Sequence, residues 1–223
     1  RDGRLSSPAL AEALIAGLRE SGCAVTDIGP GPTPLLYFAV HHLGSDGGVM
    51  VTGSHNPPDH NGFKFVAFGD PFHGESLAAL GPMARAGDWE RGAGALHRVD
   101  LRDAYVDRLL EGFRGQARRV AWDAGNGAAG PVVEALVRRL PGQHFTLFTD
   151  VDGHFPNHHP DPSIEANLAD LRKLVAERNC DFGVAFDGDG DRIGVVDGQG
   201  RVVWADQLLQ IYAEALLRER PGA

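Results

Sequence analysis

Three carboxylates stand at alternate positions in Asp187-Gly188-Asp189-Gly190-Asp191-Arg192, with only glycine between them. In an extended or looped backbone, alternate side chains point the same way. Three anions on one side repel each other strongly unless a cation joins them. The glycines remove bulk and let the loop curl around an ion. All-oxygen ligands suit a hard cation such as Mg2+. The preceding Val184-Ala185-Phe186 reads as a buried strand, so the carboxylates emerge at its C-terminal end, where α/β folds place their chemistry. The plainer alternative is a solvated acidic turn. The segment is like a short calcium loop but lacks that loop's later glutamate.

A second constellation is Thr52-Gly53-Ser54-His55-Asn56-Pro57-Pro58, which follows an apolar run at Val49 to Val51. A serine just past a strand end, between Gly53 and Pro57, is held on a rigid turn. Its hydroxyl is a candidate nucleophile or phosphate carrier. His55 is adjacent and Lys64 lies on the next strand, and both can act on protons or on phosphate charge. The alternative is a turn that only reverses the chain. A Ser-His-Asp hydrolase is the weaker reading, because the Gly-x-Ser-x-Gly elbow is absent.

Two further segments have a chemical and a structural reading. Asp123-Ala124-Gly125-Asn126-Gly127 leads from strand to helix and is either a phosphate cradle or a tight turn, the latter preferred. His154 to Pro162 resembles a metal cluster. Adjacent His158 and His159 do not easily face one ion, and the prolines favour a rigid loop at the edge of a cleft. His41 and His42 read as a surface pair, and Glu214 and Glu219 as solvated groups of the last helix.

The elements that must position these residues alternate between helical and strand patterns. Helices are predicted from Ser6-Ser7-Pro8 to Gly22, over Thr33 to Leu43, Gly74 to Ala86, Leu101 to Phe113, Ala128 to Leu140, Leu168 to Glu177 and Gln207 to Leu217. In the fourth, Tyr105, Leu109 and Leu110 are expected to face inward. Short strands are predicted at Cys23 to Ile28, Gly48 to Val51, Phe63 to Phe68, Val120 to Trp122, Phe145 to Phe148 and up to Phe186. Ile193 to Val196 and Val202 to Trp204 form a hairpin around Asp197-Gly198-Gln199-Gly200. This is α/β architecture: two consecutive α/β domains with mixed, largely parallel sheets flanked by helices. The glycine- and charge-rich stretch Gly87 to Gly94 is the best boundary, which gives domains 1–92 and 93–223.

Composition narrows the function. The chain has 223 residues, 43% hydrophobic and 23% charged, ordinary for a globular protein with a sizeable core. A net charge of −9 argues against nucleic acid or an anionic membrane as partner. No apolar run approaches the roughly 20 residues that span a bilayer, and the opening Arg1-Asp2-Gly3-Arg4 does not read as a signal peptide. Cys23 and Cys180 each open an apolar run and read as two buried thiols of a reducing cytoplasm rather than a disulfide. Nothing at the beginning looks like a first structural element, so a fragment is expected.

Taken together the motifs resemble the α-D-phosphohexomutase superfamily, and within it the bacterial phosphomannomutase/phosphoglucomutase group. The resemblance rests on Thr52 to Pro57, Asn61-Gly62-Phe63-Lys64, Asp123 to Gly127, Phe155-Pro156-Asn157-His158-His159-Pro160-Asp161-Pro162 and Asp187 to Arg192, in order and across essentially the whole chain.

The resemblance implies transfer of phosphate between C1 and C6 of a mannose or glucose phosphate, through phosphoserine and a bisphosphorylated sugar, in the cytoplasm. It implies that Ser54 bears the phosphate. Asp187, Asp189 and Asp191 would bind one Mg2+ ion, with phosphorylated Ser54 completing the protein-derived set. Arg192 would steady that phosphate, and Lys64 and His55 would serve acid/base and charge-stabilising roles. A hexose 1,6-bisphosphate is the implied activator and sugar phosphates are the small-molecule partners. Members have four domains around a cleft, and this chain looks like most of the first plus the second. The sugar-recognition loop, the C-terminal domain that grips the distal phosphate, and the N-terminal strand with its arginine-bearing loop are the departures. Three alternatives stay open: a catalytically incomplete phosphate- and Mg-binding fragment, a phosphoglucosamine mutase, and a Mg2+-dependent phosphatase that hydrolyses its phosphoserine.

Overall fold

A computed structural model describes residues 1–67, 70–87 and 89–222. The expected end of one strand at Phe68 lies outside the described residues.

The first part of the chain runs α1 (Ser7–Glu20), β1 (Val25–Asp27), α2 (Thr33–Leu43), β2 (Gly47–Val51), β3 (Phe63–Ala67), β4 (Asp70–Pro71), α3 (Glu75–Ala86) and β5 (Leu96–Arg98). Helix α2 starts between two prolines, where a missing N–H costs nothing, and stops at Gly44 in the left-handed region. Its buried Leu35, Leu36, Ala39 and Val40 lie on one stripe. Strand β2 pairs antiparallel with β3, and β3 with β4. This places the 52–62 loop at one end of the β2–β3 hairpin.

The second part runs α4 (Arg102–Glu111), β6 (Arg118–Asp123), α5 (Gly130–Val137), β7 (Gly142–Leu147), a short 3-10 turn at Glu165–Leu168, α6 (Ala169–Arg178), β8 (Phe182–Phe186), β9 (Ile193–Asp197), β10 (Val202–Val203) and α7 (Ala205–Glu219). Strand order in its sheet is β10-β9-β8-β6-β7. Central β6 is parallel to β7 on one side and to β8 on the other. The chain thus reverses its direction of advance at β6, and the crevice at the C-terminal ends of β6 and β8 is a topological switch point. Helix α6 covers this sheet, and Leu168, Leu171, Val175, Ala121, Ala185 and Val196 form its core. Each fully buried Leu or Val contributes about 1.5–3 kcal/mol.

Two expectations are corrected, the largely parallel pairing and the inward face of α4. The sheets are mixed, but among the described residues four of the seven strand pairings are antiparallel, at β2–β3, β3–β4, β8–β9 and β9–β10. Those pairs are joined by direct loops, whereas parallel pairing needs a long crossover. Strand β5 lies past the expected break at 92/93 and pairs parallel with β1. Gly92 and Gly94 donate to Glu20 and Arg19 at the end of α1, which ties that stretch down. In α4 the buried residue is Val106, with Leu101 and Tyr105 packed against Leu35 and Ala39 of α2, while Leu109 is 39% exposed. Helix α4 packs on both α2 and α5, which turns it relative to the face expected from a single sheet.

The cysteines also divide. Cys180 is buried but Cys23 is exposed, because strand β1 begins only at Val25; both are free thiols. Among the described residues no helix is long and apolar enough to cross a membrane.

Candidate active site

The Ser54 loop leaves the end of β2. Ser54 lies at φ 50°, in the left-handed region that non-glycine residues rarely adopt. Such a conformation costs about 1–3 kcal/mol and persists only where the surroundings over-determine it. They do so here. The Ser54 N–H donates to Thr52 Oγ1 at 2.8 Å, and Asn56 N–H to the Gly53 carbonyl at 2.8 Å.

The larger hold comes from Arg4, which is 1% exposed. Its Nη2 donates to the carbonyls of Ser54 (2.8 Å) and Asn56 (2.7 Å), and its Nη1 to those of Pro57 (2.5 Å) and His60 (3.1 Å). Its Nε donates to Asp2 Oδ2 at 3.1 Å, and the same carboxylate accepts from the Gly53 N–H and the Ser7 hydroxyl. One guanidinium therefore gathers four carbonyls of the loop. Phe155, from the far half of the chain, lies under it at 5.3 Å.

The acidic loop follows β8. Asp187 and Asp189 are fully buried and Asp191 is exposed. Asp187 Oδ1 accepts the N–H groups of Asp191 and Arg192, both at 3.1 Å, so the loop wraps its own first carboxylate. One ligand oxygen from each of the three lies within 4.8 Å of the others. Gly188 is required by a close approach, since a Cβ there would meet the Ser54 carbonyl oxygen at 2.4 Å. The two loops thus press together, and the Ser54 hydroxyl donates to Asp187 Oδ2 at 2.8 Å.

The remaining residues singled out from sequence fall around this contact. Lys64, on β3, donates to Asp189 Oδ2 at 2.7 Å and to Asp191 Oδ2 at 2.6 Å. Arg192 is half-exposed, with Nη2 3.5 Å from Ser54 Oγ. His55 is half-buried, and its buried Nδ1 has no hydrogen-bond partner among the described residues.

Electrostatics mark the site as a place for a cation. Burial, then the neighbouring Asp189 charge, pushes the Asp187 carboxyl up to about 7. Burial works the same way on Asp189, but hydrogen bonds from Lys64 and Thr33 outweigh it and hold that carboxyl below the ordinary range. Burial lowers the Lys64 ammonium, and its two carboxylate partners more than restore it, so it stays charged. Asp189 Oδ1 is buried and has no partner among the described residues. A buried carboxylate oxygen without a donor is costly. Three all-oxygen ligands with one such orphan fit a hard divalent cation.

The other motifs prove structural. In the Asp123 to Gly127 turn the N–H of Gly125 goes to Asp123 Oδ1, that of Asn126 to the Phe148 carbonyl, and that of Gly127 to the Ala124 carbonyl. With those groups engaged, the segment is a turn and not a phosphate cradle. The histidines of the 154–162 loop do separate jobs. His154 faces Asp152 in solvent, and His158 Nε2 pairs with the fully buried Asp123 at 2.9 Å. Among the described residues the one metal-capable cluster is the acidic loop.

The His158–Asp123 pair carries a pH signature. Burial lowers the His158 pKa, but Asp123 more than compensates, and the net shift is upward from 6.5. A raised histidine stabilises the fold below its unfolded pKa of about 6.5 and loses that contribution as pH climbs through the higher folded value. Asp187, also raised, changes in the same direction at lower pH. We therefore expect wild-type stability to fall as pH rises above about 6.5, by about 1.5–3 kcal/mol more than that of His158→Gln, the scale of a charged hydrogen bond. Urea melts across that range check this, and parallel curves for the two proteins would refute it.

Sequence reasoning missed Asp2, Arg4, Thr33 and the Asp123–His158 pair. The signals were faint: a charged tetrapeptide at the start, and a threonine set between Pro32 and Pro34.

Comparison with known proteins adds to this geometry. Residues 1–80 match the description "Phosphoglucomutase/phosphomannomutase, alpha/beta/alpha domain I", and residues 103–200 match domain II of the same family. The whole chain is 46% identical over 224 residues to a phosphomannomutase/phosphoglucomutase of Pseudomonas putida, covering 48% of it. It is 41% identical over 226 residues to a phosphoglucomutase of Neisseria gonorrhoeae, covering 49%. The crystal structure of a phosphoglucomutase/phosphomannomutase family protein from Burkholderia thailandensis superposes with a TM-score of 0.95 at 42% identity, over 100% of this chain and 51% of that one. The chain spans about half the length of the curated relatives it matches.

Proposed function

The chain belongs to the phosphoglucomutase/phosphomannomutase family, and from that premise we propose that the protein carrying it moves a phosphoryl group between C1 and C6 of a hexose phosphate, with Ser54 as carrier. One observation carries the reading. The Ser54 hydroxyl and the acidic loop lie 133 residues apart in sequence and are joined by a 2.8 Å hydrogen bond. A serine alone is a poor phosphate carrier, and an acidic loop alone is no nucleophile.

We assign one Mg2+ ion to Asp187, Asp189, Asp191 and an oxygen of phosphorylated Ser54. When bound, it supplies charge neutralisation to the phosphoryl oxygens and to the serine oxygen. The protein's own residues do the rest. In the first half-reaction the P–Oγ bond of phospho-Ser54 breaks and a bond from phosphorus to a free sugar hydroxyl forms. That hydroxyl loses a proton and Ser54 Oγ gains one. The product is a hexose 1,6-bisphosphate, and the second half-reaction returns its other phosphoryl group to Ser54. The same bisphosphate serves as activator by charging an unmodified Ser54. Arg192, near Ser54 Oγ, steadies the moving group. Lys64, held charged between two carboxylates, suits charge neutralisation. His55 with its unpartnered Nδ1 suits proton transfer.

We further assign the residues up to β5 to the unit that bears Ser54, and those from α4 onward to the unit that bears the acidic loop. The site then forms where the two meet.

The test is conversion of glucose 1-phosphate or mannose 1-phosphate to the 6-phosphate by the full-length protein. Turnover should need Mg2+ and a trace of glucose 1,6-bisphosphate. Release of inorganic phosphate in place of the 6-phosphate would replace the mutase reading with a phosphatase.

A further inference from the structure

We infer that Thr33 is a positioning residue for Asp189, setting which of its oxygens faces the metal; this rests on the metal assignment proposed above. Thr33 is fully buried. Its hydroxyl donates to Asp189 Oδ2 at 2.6 Å, and its backbone N–H donates to the Asp189 carbonyl at 2.8 Å. Both ends of one residue thus fix both ends of another, 156 positions away.

The setting of Thr33 supports the role. It is the first residue of α2, where backbone N–H groups lack partners within the helix and the dipole favours an anion. Pro34 brings no N–H, so Thr33 presents both a hydroxyl and an N–H to the acidic loop. With Oδ2 clamped, the carboxylate plane is set and the free oxygen is Oδ1, the buried atom with no partner among the described residues. That is the atom a cation would take.

Lys64 also donates to Oδ2, but the two holds differ in kind. The Lys64 side chain is one-third exposed and positively charged. A divalent ion arriving among the three carboxylates repels an ammonium and leaves a neutral, buried hydroxyl unaffected. Thr33 is therefore the hold that persists with metal bound. Partners of this kind, one step behind a ligand, typically change metal affinity 10- to 100-fold.

The experiment is calorimetric titration of the full-length protein with magnesium chloride, in wild type, Thr33→Val, Thr33→Ser and Asp189→Asn. Valine keeps the shape and loses the donor, and serine keeps the donor. The expected result is an affinity about tenfold or more weaker in Thr33→Val and within about threefold of wild type in Thr33→Ser, with unchanged melting midpoints. Should valine disturb the fold, Thr33→Ala against Thr33→Ser makes the same comparison. Equal affinity in wild type and Thr33→Val, with a loss in Asp189→Asn, would overturn the inference and leave the metal site standing. Equal loss in Thr33→Ser and Thr33→Val would overturn it too, since a side chain that keeps the hydroxyl would then do no better than one without it. No difference between wild type and Asp189→Asn would remove the metal assignment and this inference with it.

Discussion

Ser54→Ala is expected to abolish mutase turnover in the full-length protein, by at least about a thousandfold, since losing a nucleophile removes covalent catalysis as a unit. The expectation rests on placement. The hydroxyl sits on a backbone held at positive φ, donates to Asp187, and lies near the Arg192 guanidinium. Fixed positive charge and an acidic loop around one oxygen are what phosphoryl transfer demands, because that chemistry is mostly positioning and charge stabilisation. Alanine removes only the oxygen, and the Arg4 bonds to the loop carbonyls do not depend on it, so the fold should stay intact. Incubation with labelled glucose 1,6-bisphosphate and peptide mapping gives a second reading. Label should appear on Ser54 in wild type and on no residue in Ser54→Ala. Label elsewhere, or turnover within tenfold of wild type in the variant, would assign the carrier role to another group. A full-length protein is the fair subject, because the chain spans about half of its relatives.

Arg4→Met is expected to cost about 3–5 kcal/mol of stability, the scale for removing one partner of a buried ion pair. The Arg4 and Asp2 side chains are 0% and 1% exposed. Methionine leaves Asp2 as a buried charge without its partner and strips the carbonyls of Ser54, Asn56, Pro57 and His60 of their donor. Adding Asp2→Asn should recover part of the loss, since it removes the stranded charge. The carbonyls stay orphaned, so recovery is incomplete. Denaturant midpoints for the two single variants and the double variant test this. A loss under about 1 kcal/mol in Arg4→Met would mean that water replaces the guanidinium and that the loop is held elsewhere. A fully additive double variant would mean that the two groups do not act as a pair.

Much of this was legible in the order of residues. The acidic loop announces itself because local spacing carries the chemistry: three carboxylates separated by glycine can scarcely coexist without a cation. The Ser54 turn is legible for a similar reason, since glycine, serine and proline in a row constrain the backbone without help from elsewhere. Helix α2 was bounded correctly because its proline start and glycine stop are local signals. The hairpin from β9 to β10 was legible from its turn residues.

What the tertiary structure decided is what depends on partners distant along the chain. Arg4 looks like any surface arginine in sequence, and only the packing of the loop around it makes it a buried brace. Thr33 reads as a helix start until Asp189 is brought against it. His158 reads as part of a rigid loop, and only the fold shows that its Nε2 pairs with the buried Asp123. Strand β5 joins β1 across the expected boundary because backbone groups must find partners, and no side-chain pattern records which partner is nearest. Leu109 faces solvent because α4 packs on two helices at once. Sequence by itself pointed to the family through the resemblance of its motifs, and to the residue types of the candidate site, since those types follow from local spacing and charge. Structure decided which buried groups hold those residues in place, because satisfying a buried charge or an N–H is a property of the folded interior and not of its neighbours along the chain.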